Sequence, residues 1–558
     1  MMKKLSKILC ALCVIFGSVS CADMMDIDSE LVEFEKDHNL DSPSDTVYSV
    51  LGIIHKMQVI ADRTVLLGEV RGDLVSVTDA ASSDLKRLAS FQLSEDNKYN
   101  VPADYYAVIN NCNYFIANAD TLLSRRGKKV FEKEFAAVKT FRAWTYMQLV
   151  MAYGSVPLLL EPIMTEAEAD KALKQPRLSV DGICDYFISD LAPYVDVKFP
   201  EYGAIGGHDS KNFFIPVRLL LGDMCLWTGR YQEAARFYHD YLAHKDAPHV
   251  PSFIASSWPD AEFKSPNRAF SHSYLSYIPM EINRYSGIVS ELGPIFNSDI
   301  ENYYYFQLEP SKSLRALSAA QTYCFVNKTG TTADTIYAPK KGLLSDIYAG
   351  DLRLCTYYTY NRLNTDEYSE FSSDYQKIFK FSAESRITTY RLSIAYLRYA
   401  EALNRAGYPQ SAFAVLKYGL NPDNIGEHVD SVEIKAAGSL ISFDPLVFTE
   451  ELTMGVHSIG SGESAANAHY TLPMPSESLA SYADTVAYQI PLVEDMIINE
   501  MALEGSFEGN RYYDLMRVAL RRNDPGYLAA PVSERNGVRD DALYTLLMDT
   551  KNWYLPLK

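Results

Sequence analysis

Two stretches far apart in the chain can be laid one on the other. Ile215–Leu242 reads IPVRLLLGDMCLWTGRYQEAARFYHDYL, and Leu392–Leu420 reads LSIAYLRYAEALNRAGYPQSAFAVLKYGL. Placing Gly229 on Gly407 also places Asp223 on Glu401, Gln232 on Gln410 and Ala234 on Ala412. Each stretch is a helix, a tight glycine turn, and a second helix with small residues on its packing face. A hairpin of this kind cannot bury its apolar side alone, so its neighbours must be further helices.

Phe131–Pro162 (FEKEFAAVKTFRAWTYMQLVMAYGSVPLLLEP) supplies one such neighbour. Phe131, Phe135, Val138, Phe141, Trp144 and Met151 recur at helical spacing, with Leu149 and Val150 on a second face, so this helix is covered from two sides. Gly154 suits a left-handed cap, and Pro157 forbids continuation. Further helices are expected over about 44–67 and 102–123, separated by a polar loop region from Glu69 to Asn100. The hairpins have the layout of tetratricopeptide-type repeats, but their separation rules out a regular array. Between them, residues 247–385 lose the helical pattern and are rich in aromatics with Ser, Asn, Thr, Gly and Pro. The expected fold is therefore mainly α: a tetratricopeptide-like helical-hairpin scaffold with a large irregular, aromatic-rich insertion.

Charge excludes some partners. The net charge is −19, and neutralising phosphates needs a basic face, so nucleic acid and anionic lipid are disfavoured. Apolar residues make up 47% and charged residues 22%, ordinary values for a folded chain. The 40 Tyr against 4 Trp are not ordinary and favour surfaces with flat apolar faces and polar edges.

The N-terminus reads as a secretory signal: Lys3, Lys4 and Lys7, an apolar run from Ile8 to Phe16, then Gly17-Ser18-Val19-Ser20-Cys21. The run is too short to span a membrane. Small residues before Cys21 fit a lipoprotein signal with Cys21 as the acylated residue, although Ser18 stands where the usual box has Leu. Acyl chains bury about 0.8 kcal/mol per CH₂, and two or more anchor stably. Asp23, Asp26, Asp28, Glu30, Glu33, Glu35 and Asp37 then form an acidic tether. The expected organisation is signal peptide 1–20, lipidated tether 21–42, N-terminal helical scaffold 43–246, insertion 247–385, and a C-terminal helical part with mixed loops, 386–558. Cys112, Cys184, Cys225, Cys324 and Cys355 are scattered, without disulfide or metal spacing, and read mostly as small buried residues.

Near the C-terminus, EDMIINEMALEGSFEGNRYYDLMRVALRR (Glu494–Arg522) reads as two helices meeting at Gly505–Gly509. Glu504, Glu508 and Arg511 are spaced for an ion-pair cluster. An acid–base pair made of the two glutamates is the weaker reading. Motifs for zinc hydrolases, serine hydrolases and nucleotide-binding loops are absent from the sequence. His239, His244 and His249 lack ligand spacing on one helix face. Neither a metal nor a cofactor is expected.

The ordered set of the Cys21 start, KTFRAWTYMQLVMAYGSVPLLLEP at 139–162, AYLRYAEALNRAG at 395–407, INEMALEGSFEGNRYYDLMR at 498–517 and NWYLPL at 552–557 resembles SusD-like (RagB/SusD) outer-membrane lipoproteins. The resemblance implies a lipid-anchored protein on the outer face of the outer membrane of a Bacteroidetes-type bacterium. Such a protein caps a SusC-like TonB-dependent transporter and captures a nutrient, usually a glycan and sometimes a peptide, as a binder and not an enzyme. The helices would meet the transporter, and the loops and insertion would hold the ligand. By residue type and location the candidate contacts are Arg71, Asp73 and Tyr99, with Trp258, Tyr274, Tyr277 and Tyr303 in the insertion. Two other readings remain open at this point. One is a helical-repeat adaptor without a small ligand; the other is a surface glycoside hydrolase, which needs two carboxylates about 5 to 10 Å apart.

Overall fold

The computed structural model describes residues 43–172, 174–244, 274–281, 287–297, 307–321, 323–329, 332–338, 351, 353, 358–360, 376–381, 385–449, 453–462, 469–476 and 481–557. The first helix, Pro43–Glu69, buries Val50, Ile53, Ile54, Met57, Ile60, Ala61 and Val65. That set repeats at three and four residues, the spacing that puts apolar side chains on one helical face. It packs on helices Pro102–Asn118 and Glu132–Tyr153.

Glu132–Tyr153 is internal. Every residue from Ala136 to Tyr153 except Lys139 and Gln148 is buried. Gly154 ends it at φ 77°, donating its N–H to the Val150 carbonyl, and the Tyr554 ring lies so close that an added Cβ would meet it at 2.8 Å. The closing segment is thus part of the same packing unit. The Leu555 N–H donates to the Ala152 carbonyl at 2.9 Å, and buried Trp553 donates Nε1–H to the Leu547 carbonyl.

From this centre the helices run in a row. Glu132–Tyr153 meets Val180–Leu191, which meets Val217–Trp227, which pairs with Tyr231–Leu242 across the Gly229 turn. Tyr231–Leu242 packs directly on Leu392–Arg405, and that helix pairs with Pro409–Lys417 across the Gly407 turn. The two hairpins that match in sequence are therefore spatial neighbours, and the row continues past residues 247–385. Tyr482–Gly505 covers the second hairpin, and Arg511–Arg522 comes next.

Arg511–Arg522 also packs on the first helix. There a Cβ on Gly68 would lie 1.7 Å from the Gly509 carbonyl oxygen, and one on Gly509 (φ 86°) would lie 2.3 Å from that of Thr64. Backbone meets backbone, which only two glycines allow.

Two expectations need correction. Glu69–Asn100 is not loop throughout: it holds the strand Val75–Val77 and the helix Ser83–Ala89, capped by the Ser82 hydroxyl accepting from the Leu85 N–H. The 247–385 stretch is not irregular throughout its described residues. Leu308–Pro310 pairs antiparallel with Val75–Val77, Tyr323–Thr329 with Thr332–Ala338, and Tyr358–Tyr360 with Gln376–Ile378. Tyr274–Pro279 pairs with Arg386–Arg391, with a register shift after Thr388. Sheet hydrogen bonds, which the aromatic-rich composition left unread, organise these segments.

Cys112, Cys184 and Cys225 are buried and unpaired. Burial pushes the Cys112 and Cys225 thiols up to about 12. Among the described residues, no helix is long and apolar enough to cross a membrane.

Candidate functional site

The residues singled out from sequence fall into three groups. Arg71, Asp73, Tyr99 and Tyr277 are buried. Arg71 donates to the Leu67 and Trp553 carbonyls and to the Tyr513 hydroxyl, at 2.8 to 2.9 Å, and lies over the Tyr512 ring. Asp73 receives Arg511 Nε and Nη2 at 2.6 and 2.9 Å. Tyr99 sits in the core beneath the Lys98 ammonium, and burial raises its hydroxyl. The Tyr277 hydroxyl meets His208 Nδ1 at 3.2 Å. These four side chains fasten chain to chain and offer no face to a ligand. Tyr274 is half-buried, stacked under the Arg386 guanidinium at 4.5 Å. Trp258 and Tyr303 lie outside the described residues.

Glu504 and Glu508 also take structural positions. Arg353 contacts Glu500 and Glu504 at 2.5 and 3.0 Å, Arg391 contacts Glu504 and Glu508 at 2.6 and 3.0 Å, and Lys380 contacts Glu508 at 2.5 Å. Burial raises the Glu504 carboxyl, but Arg391 and Arg353 outweigh it and hold it at about 2. Burial brings Lys380 down to about 8. Arg511, expected in this cluster, turns instead to Asp73. Glutamates so occupied hold the junction of helices and strands together.

One concavity lies at the centre of the helical row, lined by Trp144, Gln148, Asp223, Trp227, Arg398 and Asn510, among others. Asp223 organises it. Its carboxylate accepts from the Tyr238 hydroxyl at 2.5 Å, the Tyr390 hydroxyl at 2.6 Å and Arg398 Nη1 at 2.6 Å. Arg398 Nη2 continues to Asn510 Oδ1 at 3.0 Å. Burial first, then the Asp223 charge, pushes both tyrosines well above their ordinary range, so they remain hydroxyl donors. The volume is about 60 Å³. That admits a few waters and falls far short of the roughly 300 Å³ at which small-molecule sites begin.

The second concavity is wider, about 620 Å³, and runs along the turns of the two matching hairpins. It is lined by Gly229, Arg230, Tyr231, Gln232, Glu233, Arg236, Phe237, Arg405 and Ala406. Arg405 Nη1 donates to the Tyr231 hydroxyl at 3.1 Å, and Arg405 Nε lies 2.5 Å from Glu494. Arg230 pairs with Asp185 at 2.6 Å. None of these residues stood out in the sequence as a contact. The two turn glycines marked the place, but only the packing of one hairpin on the other brings Arg405 to Tyr231.

No family model and no curated relative matches the chain. Solved structures do. A SusD superfamily protein from Bacteroides vulgatus covers 92% of this chain and 95% of its own, at 14% identity and a TM-score of 0.57. Another from Bacteroides thetaiotaomicron covers 85% and 89%, at 15% identity and a TM-score of 0.54. A SusD-like carbohydrate binding protein from Bacteroides fragilis covers 86% and 87%, at 13% identity and a TM-score of 0.52. At such identities the likeness is one of fold, and it extends over nearly the whole length on both sides. With its helical-hairpin scaffold and its intervening strands, this chain has the SusD-like fold.

Proposed function

We propose that this protein captures a glycan and does not cleave it, holding it for a SusC-like TonB-dependent transporter while anchored through lipid on Cys21 to the outer face of the outer membrane. The observation that carries this reading is the near full-length likeness to a SusD-like carbohydrate binding protein. The occupied state of Glu504 and Glu508 supports a binder over a hydrolase. Arg71, Asp73, Tyr99 and Tyr277 are set aside as ligand contacts; Tyr274, Trp258 and Tyr303 are retained.

Anchoring and delivery are tested together in a Bacteroides host. Labelled palmitate should enter the full chain and be lost in Cys21→Ser. Protease added to whole cells should digest the wild-type chain, and a TonB-dependent barrel should co-purify with it. Retention in the periplasm with no barrel attached would contradict the reading.

A further inference from the structure

On a chain whose net charge is −19, one hairpin gathers four cations and no acid. Ser124–Arg125 pairs antiparallel with Lys128–Lys129 across Arg126 and Gly127, in the connection between helices Pro102–Asn118 and Glu132–Tyr153. Arg125, Arg126, Lys128 and Lys129 are exposed, and none has an ion-pair partner among the described residues. The register sets Arg125 directly opposite Lys128, and like charges in such a pair repel. Arg126 takes the turn at φ 52°, a left-handed conformation that disfavours a residue with a Cβ. Beside this tip Leu122 is 85% exposed. Repelling cations on a strained turn, next to a bare leucine, call for a partner that is acidic and carries apolar side chains.

The chain's own lead segment has that chemistry. Its acids from Asp23 to Asp37, opposed by Lys36 alone, are interleaved with Met25, Ile27, Leu31, Val32 and Phe34. It also enters the fold at the right end. The helix Pro43–Glu69 packs on both helices that the hairpin joins. Arg63, late in that helix, pairs at 2.5 Å with Asp104 in the first turn of Pro102–Asn118. Arg71, just past its end, meets Trp553, and the Leu555 N–H beside it donates to Ala152 near the end of Glu132–Tyr153. The helix therefore finishes at the end away from the hairpin, and Val50, Ile53 and Met57, all buried, lead back towards the other. From Arg63 to Pro43 is about 30 Å of helix, against about 21 Å from Asp104 to Asn118, so Pro43 comes level with the start of the hairpin connection to within about 10 Å along the axis. Residues 22–42 can extend about 70 Å, which brings their carboxylates within reach of the tip. A covalently attached partner acts there at an effective concentration on the order of millimolar, above that of most free anions.

We propose that the basic hairpin is the docking site of the chain's own acidic segment: carboxylates of residues 23–37 sit on Arg125, Arg126, Lys128 and Lys129, and an apolar residue of the segment covers Leu122. Docking shortens the connection between Cys21 and the folded body and fixes which end of the body faces its attachment. The assignment goes beyond glycan capture and does not depend on it.

The test is carbodiimide crosslinking of residues 22–558, which joins lysine amines to carboxylates in contact, read by peptide mass spectrometry. Lys98 and Glu291, 3.4 Å apart in the fold, provide the internal control. Lys128 or Lys129 should join acids of residues 23–37 within one molecule, as a mixture of isotopically labelled and unlabelled chains shows. The yield should fall at least about fivefold between about 20 mM and about 500 mM salt. It should fall as far at low salt in the double variant Arg125→Glu/Arg126→Glu, which keeps both lysines, with the control link and the circular dichroism spectrum unchanged. A control link without hairpin links overturns the proposal. Hairpin links that neither salt nor the double variant changes report nearness alone and overturn it too. Links between molecules overturn it in favour of a second copy. Flotation with phosphatidylglycerol vesicles that the double variant loses, without links to residues 23–37, overturns it in favour of a membrane surface.

Discussion

Asp223 and Glu401 occupy equivalent positions in the two matching hairpins, and each accepts an arginine from a helix later in the chain. Asp223 takes Arg398 at 2.6 Å, and Glu401 takes Arg517 through Nη2 and Nε, at 2.5 and 3.0 Å. The repeated acid is therefore a repeated fastening. Each hairpin grips a helix from further along the chain, and the row of helices acquires a fixed order.

The two fastenings should differ in strength. Glu401 and Arg517 are 0% and 3% exposed, whereas Asp223 and Arg398 are 12% and 14% exposed, and Asp223 keeps two tyrosine hydroxyls if the arginine is lost. Arg517→Ala should cost about 3 to 5 kcal/mol, because it strips both hydrogen bonds from buried Glu401 and one from Asp514 and leaves Glu401 only the longer contact to Arg405 at 3.5 Å. Arg398→Ala should cost clearly less. Urea denaturation of both variants checks the order, and equal losses would contradict it.

Glycines on one helix should respond in opposite directions. Gly52 is exposed with nothing within 4 Å of an added Cβ, so Gly52→Ala should stabilise by up to about 1 kcal/mol. Gly68→Ala drives a methyl into the Gly509 backbone and should cost about 3 kcal/mol or more. Thermal melts of the pair read the contrast directly.

Glu69 should set the stability at neutral pH. Burial pushes its carboxyl up to about 7 from an ordinary 4.5, more than the N–H donors of Gly509 and Phe507 can offset. The unfolded chain loses this proton near 4.5 and the folded one near 7, so stability falls as pH rises between those values. Glu69→Gln keeps an acceptor for the Gly509 N–H and removes the titration. It should gain on the order of 2 to 3 kcal/mol over wild type at pH 8 and nothing at pH 4. A constant difference between the two proteins across pH would contradict the assignment.

The acid side should be governed by Glu504. Its folded carboxyl lies at about 2, below the ordinary 4.5, so its contribution is complete above about pH 4.5 and disappears as pH falls towards 2. Glu504→Gln should lose most of its stability deficit by pH 2, where about half of the folded wild type and nearly all of the unfolded chain carry the proton. Denaturation curves at pH 2, 4 and 7 measure this.

The scaffold was readable because its signals are local. Turn glycines at Gly229 and Gly407, small packing residues such as Ala234 and Ala412, and the cap at Gly154 lie within a few residues of what they govern. The candidate contacts were not readable, because burial is decided by partners hundreds of residues away. Arg71-Gly72-Asp73 looks like an exposed polar tripeptide until Trp553 and Arg511 close on it. The same limit hid the groove. Arg405 and Tyr231 belong to different hairpins, and nothing in either stretch states that they touch.

The central claim is capture without conversion. It is tested most directly by titrating residues 22–558 with plant, host and microbial glycans and peptide pools in a calorimeter, then analysing the recovered ligand by chromatography. Saturable binding of a glycan that is recovered intact is the predicted result. Shortened ligand would make the protein a hydrolase, and binding confined to peptides would contradict the glycan assignment.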